Sequence, residues 1–218
     1  MRIACLHTAD SNITVLEEAR RNADFSAVQL LHEVRAELLA EVEQHKGLIP
    51  SIEERTIKAL LDLAGKADAV LLTCSSLGPV AAKAAAMTST PILRIDEALA
   101  REASKDGGTV VALCAVATTL EPTRALFETA ARATGASIDV RFVPSAWDLF
   151  KAGQREAYLT LIAQAADQAF GEGIAHVALA QASMTGAAEL CRAGRPLTSP
   201  GVGLKAALAM AGKNSKAA

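Results

Sequence analysis

Residues 71–79 read LLTCSSLGP, and this stretch combines a strand signal with a reactive side chain. Residues 70–73 are continuously apolar or β-branched, which is typical of a strand buried on both faces of a parallel sheet. Cys74 would then lie at the carboxyl end of that strand, the edge at which open α/β sheets bind their ligands. Because free cysteine is also among the most buried residue types, the stretch alone leaves a structural thiol open.

The second half of the chain repeats the order of elements in the first half. RIACL (2–6) and TVVAL (109–113) are matching strand candidates, and AVLLT (69–73) before Cys74 matches HVALA (176–180) before Gln181. The offset is the same at both places, since 109 − 2 and 181 − 74 both equal 107. A single offset at two places indicates an internal duplication.

Helices are predicted between these strands. Residues 53–64 and 156–170 carry apolar side chains at helical spacing, and PILRID (91–96) and RPLTSP (195–200) add a strand-like piece to each half. Strands that alternate with helices form parallel sheets with right-handed crossovers. The sequence therefore predicts an α/β protein of two similar lobes, each a parallel sheet flanked by helices, with the active site between them.

The domain limits follow from the same repeat. We expect the first lobe to comprise residues 1–97 plus 198–218 and the second to comprise residues 98–197, because the terminal segment is expected to pack back on the first lobe. A ligand crevice would lie between the facing strand edges, lined by Cys74 and Gln181. The end of the chain, GKNSKAA (212–218), has the composition of a frayed, solvated tail.

Composition narrows the class of function. A net charge of −2 over 218 residues, with no basic stripe, disfavours a nucleic-acid partner. No apolar run suits a signal peptide or a membrane span, so we expect a cytoplasmic protein with no membrane partner; a homo-oligomer is compatible with the sequence. The four cysteines and four histidines are dispersed, and no glycine-rich phosphate loop occurs, so neither a metal site nor a nucleotide cofactor is predicted.

Small polar residues follow the predicted strands and are the candidates for binding a carboxylate. Near helix starts, hydroxyls and backbone N–H groups can hold an anion together, although ordinary helix capping explains each residue equally well. His7 stays open as a site residue, whereas His32 and His45 look like surface residues. The candidate binding residues are Ser11, Ser75, Ser76, Thr118, Thr119, Ser183 and Thr185, together with Asp10, whose carboxylate could orient a substrate ammonium group or the catalytic thiol or could simply cap the first helix.

These motifs resemble the aspartate/glutamate racemase superfamily over nearly the whole chain. That superfamily includes aspartate, glutamate and hydantoin racemases, with maleate isomerase and arylmalonate decarboxylase as relatives, and its racemases use two facing cysteines and no cofactor. Cys74 in TCSS matches the first of these cysteines. The resemblance also implies that ADSN (9–12) is the polar loop after the first strand and that Thr118 belongs to a loop that contacts substrate.

The second cysteine is missing. LAQASM (179–184) resembles the family's second motif, but Gln181 stands in the cysteine's place, and an amide neither supplies nor accepts a proton at neutral pH. Cys191 lies ten residues further along, too far on a helix to replace it. The resemblance therefore implies one-sided chemistry through Cys74, with Gln181 donating a hydrogen bond to an intermediate.

We expect a cofactor-independent, racemase-like isomerase that acts on a small carboxylate. Two alternatives stay open: a decarboxylase of a malonate-type acid, although the decarboxylase relatives retain the cysteine of the second half, and a non-catalytic relative that only binds a small carboxylate.

Overall fold

The computed structural model describes residues 1–23 and 25–214, so residues 215–218 of the predicted frayed tail lie outside the described residues. The chain forms two compact units. The first combines Met1–Ile95 with the residues from Pro200 onward, and the second is Asp96–Ser199. Each unit contains one four-stranded parallel sheet flanked by helices, which confirms the predicted fold class.

The first unit is built around two strands that are buried along almost their whole length. In β1 only the first residue is exposed, and every residue of β3 is buried. Edge strands β2 and β4 complete the sheet in the order β2-β1-β3-β4. The elements are β1 (Arg2–His7), α1 (Ser11–Asn22), β2 (Gln29–Val34), α2 (Ala36–Gln44), α3 (Pro50–Ala64), β3 (Ala69–Leu72), α4 (Ala81–Ala85), β4 (Ile92–Arg94) and, at the end of the chain, α9 (Ser199–Asn214).

The second unit has the same topology, with the strand order β6-β5-β7-β8. Strand β5 starts at residue 109 and β7 at residue 176, each 107 positions after β1 and β3, which start at residues 2 and 69. The elements are α5 (Ile95–Ser104), β5 (Thr109–Cys114), α6 (Leu120–Ala131), β6 (Ser137–Phe142), α7 (Ala146–Lys151), α8 (Arg155–Gly171), β7 (His176–Leu179) and β8 (Leu197–Thr198).

Apolar packing fixes the sheet of the second unit against α8. Tyr158 and Ile162 of α8 are fully buried against Val111 and Leu113 of β5 and Leu179 of β7. A parallel strand that is covered on both faces needs apolar side chains in both directions, and β5 and β7 meet this requirement with TVVALC and HVAL. The carboxyl ends of β5 and β7 are thereby held rigidly, as are those of β1 and β3 in the first unit.

Candidate active site

The carboxyl edge of the first sheet gathers three chain segments. Strand β3 pairs in parallel with β1 on one side and with β4 on the other. The segments that follow these three strands therefore start side by side, as is usual for ligand sites in α/β folds. Cys74 follows β3, Asn12 follows β1 and Arg94 ends β4; the sequence analysis did not single out Asn12 or Arg94.

Cys74 lies in a tight turn two residues beyond the end of β3. The Thr73 N–H donates to the Leu6 carbonyl at 3.0 Å and extends the sheet by one residue. Cys74 is 8% exposed, and Ser75 and Ser76 beside it are buried. The turn leads into a short 3₁₀ helix and the five-residue α4.

The segment after β1 carries unsatisfied polar atoms. Ser11 Oγ and Asn12 Oδ1 are buried, and neither has a hydrogen-bond partner in the described part of the chain. Asp10 occupies the N-cap position of α1, but its exposed side chain makes no capping bond. Unsatisfied buried polar atoms are rare in folded proteins, and a bound polar molecule is one physical reason for them.

Arg94, the last residue of β4, lies against the turn that contains Cys74. Its guanidinium covers Gly78 so closely that any side chain at position 78 would collide with it. Glycine at position 78 is thus explained by this close approach. The segment PILRID (91–96) contains Arg94. Only the tertiary structure shows that the Arg94 side chain reaches the turn after the neighbouring strand β3.

In the second unit, hydrogen bonds hold the Gln181 amide in place. Its Oε1 accepts a hydrogen bond from the Ala115 N–H at 2.8 Å, and its Nε2 donates to Thr119 Oγ1 at 2.7 Å. A backbone N–H can only donate, so the orientation of the amide is fixed. Thr119 in turn donates its hydroxyl proton to the Val116 carbonyl at 2.6 Å.

The remaining predicted binding residues lie at different places in the second unit. Thr118 is half-buried in the same 3₁₀ turn as Thr119. The Ser183 hydroxyl bonds to the buried Tyr158 hydroxyl at 2.9 Å, and Thr185 donates to the Ala182 carbonyl. Burial raises the pKa of Tyr158 to about 12, so this hydroxyl pair stays uncharged. The structure thus joins Gln181 to Thr119 and places Ser183 with Tyr158 instead.

The other three thiols are held in their neutral form. Burial raises the pKa of Cys5 to about 12 and that of Cys191 to about 11. Burial also raises the pKa of Cys114, while contacts with Thr123, Thr119 and Gln181 oppose the rise. A thiol reacts as a nucleophile only when ionised, so these three cysteines are poor candidates for catalysis.

The prediction that His32 is a surface residue is wrong. His32 belongs to edge strand β2, its side chain is only 14% exposed, and its Nδ1 lies 2.8 Å from Nε2 of the buried His7. Burial, followed by the nearby His32, lowers the pKa of His7 to about 3. His45, in contrast, is exposed, in agreement with the prediction.

A sequence model of Asp/Glu/hydantoin racemases matches residues 50–202, which include both Cys74 and Gln181. The chain belongs to the Asp/Glu/hydantoin racemase family. No curated protein sequence matches it at a significant level.

Solved structures of this family share the fold over the whole chain. The aspartate racemase of Picrophilus torridus matches with a TM-score of 0.75 at 12% identity, over 97% of this chain and 94% of its own. The allantoin racemase of Pseudomonas fluorescens gives 0.68 at 15% identity, over 96% and 90%. Arylmalonate decarboxylase gives 0.58 at 12% identity, over 97% and 92%. At such identities the likeness concerns the fold alone.

Among the residues that the structure describes, no helix is long and apolar enough to cross a membrane.

Limited alkylation at pH 8 is expected to label Cys74 first. Cys5 and Cys114 have no exposed surface and should react only after unfolding. Cys191 is half-buried, and with a pKa of about 11 only about one in a thousand of its thiols is ionised at pH 8. Peptide mass spectrometry after limiting iodoacetamide measures the order.

The pH dependence of the labelling provides the control. Below its pKa, Cys191 should react about ten times faster for each pH unit by which the pH is raised, because its thiolate fraction rises by that factor. Faster labelling of Cys191 than of Cys74 at pH 8 would contradict an activated thiol at position 74.

Proposed function

We propose that this racemase-family chain is a cofactor-independent isomerase that acts on a small carboxylate, with Cys74 as its essential group. The observation that carries the proposal is the edge of the first sheet, where a cysteine, an arginine and two unsatisfied polar atoms follow three adjacent strands. A thiol beside a guanidinium is a suitable combination for an anionic substrate.

Arg94 is proposed to bind the carboxylate group of the substrate. A guanidinium forms two parallel hydrogen bonds with a carboxylate, which fixes the orientation of the ligand as well as its charge. Ser75 and Ser76 are proposed to add hydroxyl contacts from the turn that Arg94 covers. The guanidinium lies against Gly78, four residues after Cys74, and we propose that a carboxylate bound there is within reach of the thiol.

The segment after β1 is proposed to bind the other polar end of the substrate. Ser11 Oγ and Asn12 Oδ1 would gain the hydrogen bonds they lack, and each such bond relieves a cost of about 1–3 kcal/mol. Asp10, exposed at the start of α1, is proposed as a further contact with that end of the substrate.

The chemistry is proposed to be one-sided. The Cys74 thiolate adds to one carbon of an activated double bond, and the π electron pair moves toward the conjugated carboxylate. Rotation about the resulting single bond and expulsion of the thiolate then return the double bond in the other geometry. Each bond formed to sulfur is broken again, so neither a second acid nor a cofactor is needed.

Gln181 is proposed to take no part in proton transfer. Its amide is neutral and its groups already have partners in Ala115, Thr119 and the neighbouring Cys114. A role as hydrogen-bond donor to an intermediate, as the family resemblance implies, requires the release of one of these bonds. Thr118, Thr119 and Ser183 are proposed as further substrate-binding residues.

A substrate panel followed by proton NMR in deuterated water tests the proposal. We expect isomerisation of an unsaturated dicarboxylate such as maleate without added cofactor, and no exchange of the α-proton of aspartate or glutamate. The panel also contains an arylmalonate, whose decarboxylation is detected as released CO₂.

Each other outcome points to a different function. Exchange of α-protons by the wild type would show a second base and overturn one-sided chemistry. Release of CO₂ from the arylmalonate would assign the chain to the decarboxylases. Stabilisation by a carboxylate in thermal unfolding without any turnover would identify a binding protein.

A further inference from the structure

Three side chains with metal-binding atoms meet on one face of the first sheet. Cys5 and His7 alternate along β1 and so point to the same face, and His32 stands opposite Cys5 in the register of β2. Their ligand atoms all lie within 4.8 Å of one another. The dispersed positions 5, 7 and 32 gave no recognisable spacing in the sequence, because the pairing of β1 with β2 brings them together.

The hydrogen bonds around His7 leave one nitrogen available. The Thr73 hydroxyl donates its only proton to the Leu6 carbonyl at 3.0 Å, so it must accept a hydrogen bond from His7 Nδ1, which lies 2.8 Å away. The proton of a neutral His7 therefore resides on Nδ1. His7 Nε2 carries a lone pair and points toward His32.

His32 is oriented in the same manner by a carboxylate. Its Nε2 lies 3.4 Å from Glu17 Oε1, and Glu17 is itself paired with Arg20 at 2.8 Å. Its Nδ1 faces the His7 lone pair at 2.8 Å. Since the proton of His7 lies on Nδ1, the hydrogen bond between the two rings requires a proton on His32 Nδ1.

Each histidine thus has one nitrogen fixed by an outer partner and the other directed into the cluster. Metal-bound histidines show this arrangement, since the non-ligating N–H is almost always donated to a carboxylate, carbonyl or hydroxyl group. Thr73 would serve His7 in this way, and Glu17 would serve His32. The third group, Cys5, is fully buried, and its thiol is uncharged without a neighbouring cation.

We propose that Cys5, His7 and His32 form a binding site for a zinc-type divalent cation. On binding, the proton of Cys5 Sγ passes to solvent, His32 Nδ1 becomes a ligand, and the proton of a neutral His32 lies on Nε2, facing Glu17. The hydrogen bond from His7 Nδ1 to Thr73 remains as it is.

The two imidazole nitrogens already lie at nearly the spacing that a bound cation requires. With Zn–N bonds of about 2.0–2.1 Å, tetrahedral geometry places two nitrogens roughly 3.3 Å apart. The two imidazole nitrogens, now 2.8 Å apart, would separate by about half an ångström. Three protein ligands leave the fourth position for a water molecule. The site would tie β1 to β2 and fix Thr73, the residue before Cys74.

Titration of metal-free protein with Co²⁺ is the decisive experiment. Thiolate coordination gives Co²⁺ an intense near-ultraviolet charge-transfer band, so one equivalent should produce this band and Zn²⁺ should remove it. We expect one Zn²⁺ bound per chain with a Kd below about 1 µM, measured by competition with a chromogenic chelator. Binding weaker than this, or a Co²⁺ spectrum without the thiolate band, would overturn the site.

Variants assign the ligands. Cys5→Ser should abolish the band, whereas Cys191→Ser, which removes a half-buried cysteine in the second unit, should leave it unchanged. Glu17→Gln should weaken Zn²⁺ binding by about 10–100-fold through the loss of the outer partner. Glu18→Gln, an exposed neighbour on α1, is the matched control and should bind as the wild type does.

The assignment of the metal ligands does not depend on whether the Cys5→Ser protein folds. Glu17 is 29% exposed, so its replacement should leave the fold intact, and circular dichroism verifies this. Equal Zn²⁺ affinity in the Glu17→Gln and Glu18→Gln proteins would show that the ion binds elsewhere. None of these measurements requires turnover, so they stand apart from the proposed isomerase activity.

Discussion

Replacing Cys74 with serine is expected to lower turnover of the substrate identified in the carboxylate panel by at least about a thousandfold, while the chain stays folded. The serine hydroxyl is a far weaker acid and nucleophile than the thiol when no base activates it. Cys74 is 8% exposed and the hydroxyl is of similar size, so we expect the free energy of unfolding to change by less than about 1 kcal/mol. Steady-state kinetics and urea unfolding measure the two quantities.

Cys191→Ser is the matched control for the loss of a thiol. It removes a cysteine whose Sγ donates to the Ala187 carbonyl in the second unit, and turnover should stay within about twofold of the wild type because surface changes are usually small in effect. Turnover of the Cys74→Ser protein at more than about a tenth of the wild-type rate would show that Cys74 is not the essential group.

The central strands could be predicted because their burial leaves a direct trace in the sequence. RIACL, AVLLT, TVVAL and HVALA are apolar without interruption, and β1, β3, β5 and β7 are buried on both faces. The shared offset of 107 was visible because β1 and β5, like β3 and β7, keep the same relation to their loops. These four strands and their order in the chain established the fold class from the sequence.

The edge strands have no comparable apolar pattern in the sequence. In β2 only Leu30 is buried, and in β6 only Val140, so QLLHEV and SIDVRF mix charged, polar and apolar residues. Strand pairing at an edge is decided by the neighbouring strand rather than by a local apolar pattern. The same cause led to the wrong prediction for His32, whose environment comes from β1 and α1.

The candidate site also contains both residues that the sequence predicted and residues that only the structure shows. Cys74, Ser75 and Ser76 are neighbours in the chain, so a strand prediction sufficed to place them at one sheet edge. Arg94 reaches the turn after β3 through a side-chain direction that no spacing reveals, and the unsatisfied Asn12 Oδ1 is visible only in the structure. The crevice lined by Cys74 and Gln181 stays a prediction, as do the domain limits 1–97 plus 198–218 and 98–197.

Helix capping was the alternative explanation for the polar candidate residues, and the structure tests it at Thr119 and Asp10. Thr119 precedes α6, yet its hydroxyl donates backward to Val116 and accepts from Gln181, without capping the helix. Asp10 stands at the N-cap of α1 and also makes no side-chain cap. Side chains that occupy cap positions without capping are available for other contacts, which agrees with the proposed binding role of Asp10.

Replacing Arg94 with glutamine is expected to lower kcat/KM for the carboxylate substrate by at least about a hundredfold, the loss of a charge-assisted pair of hydrogen bonds worth about 3 kcal/mol. Arg94→Lys keeps the charge but not the two parallel hydrogen bonds, so its kcat/KM should lie between that of the wild type and that of the Arg94→Gln protein. Arg101→Gln is the matched control, since Arg101 is 73% exposed on α5 and pairs across the surface with Glu97.

Gly78→Ala should reproduce part of the defect without removing the guanidinium, because the added methyl group occupies the space in which Arg94 lies. Steady-state kinetics on the four variants, with thermal unfolding to verify the fold, measures these effects. If Arg94→Gln and Arg101→Gln had the same kcat/KM, the guanidinium beside Cys74 would have no part in binding the carboxylate.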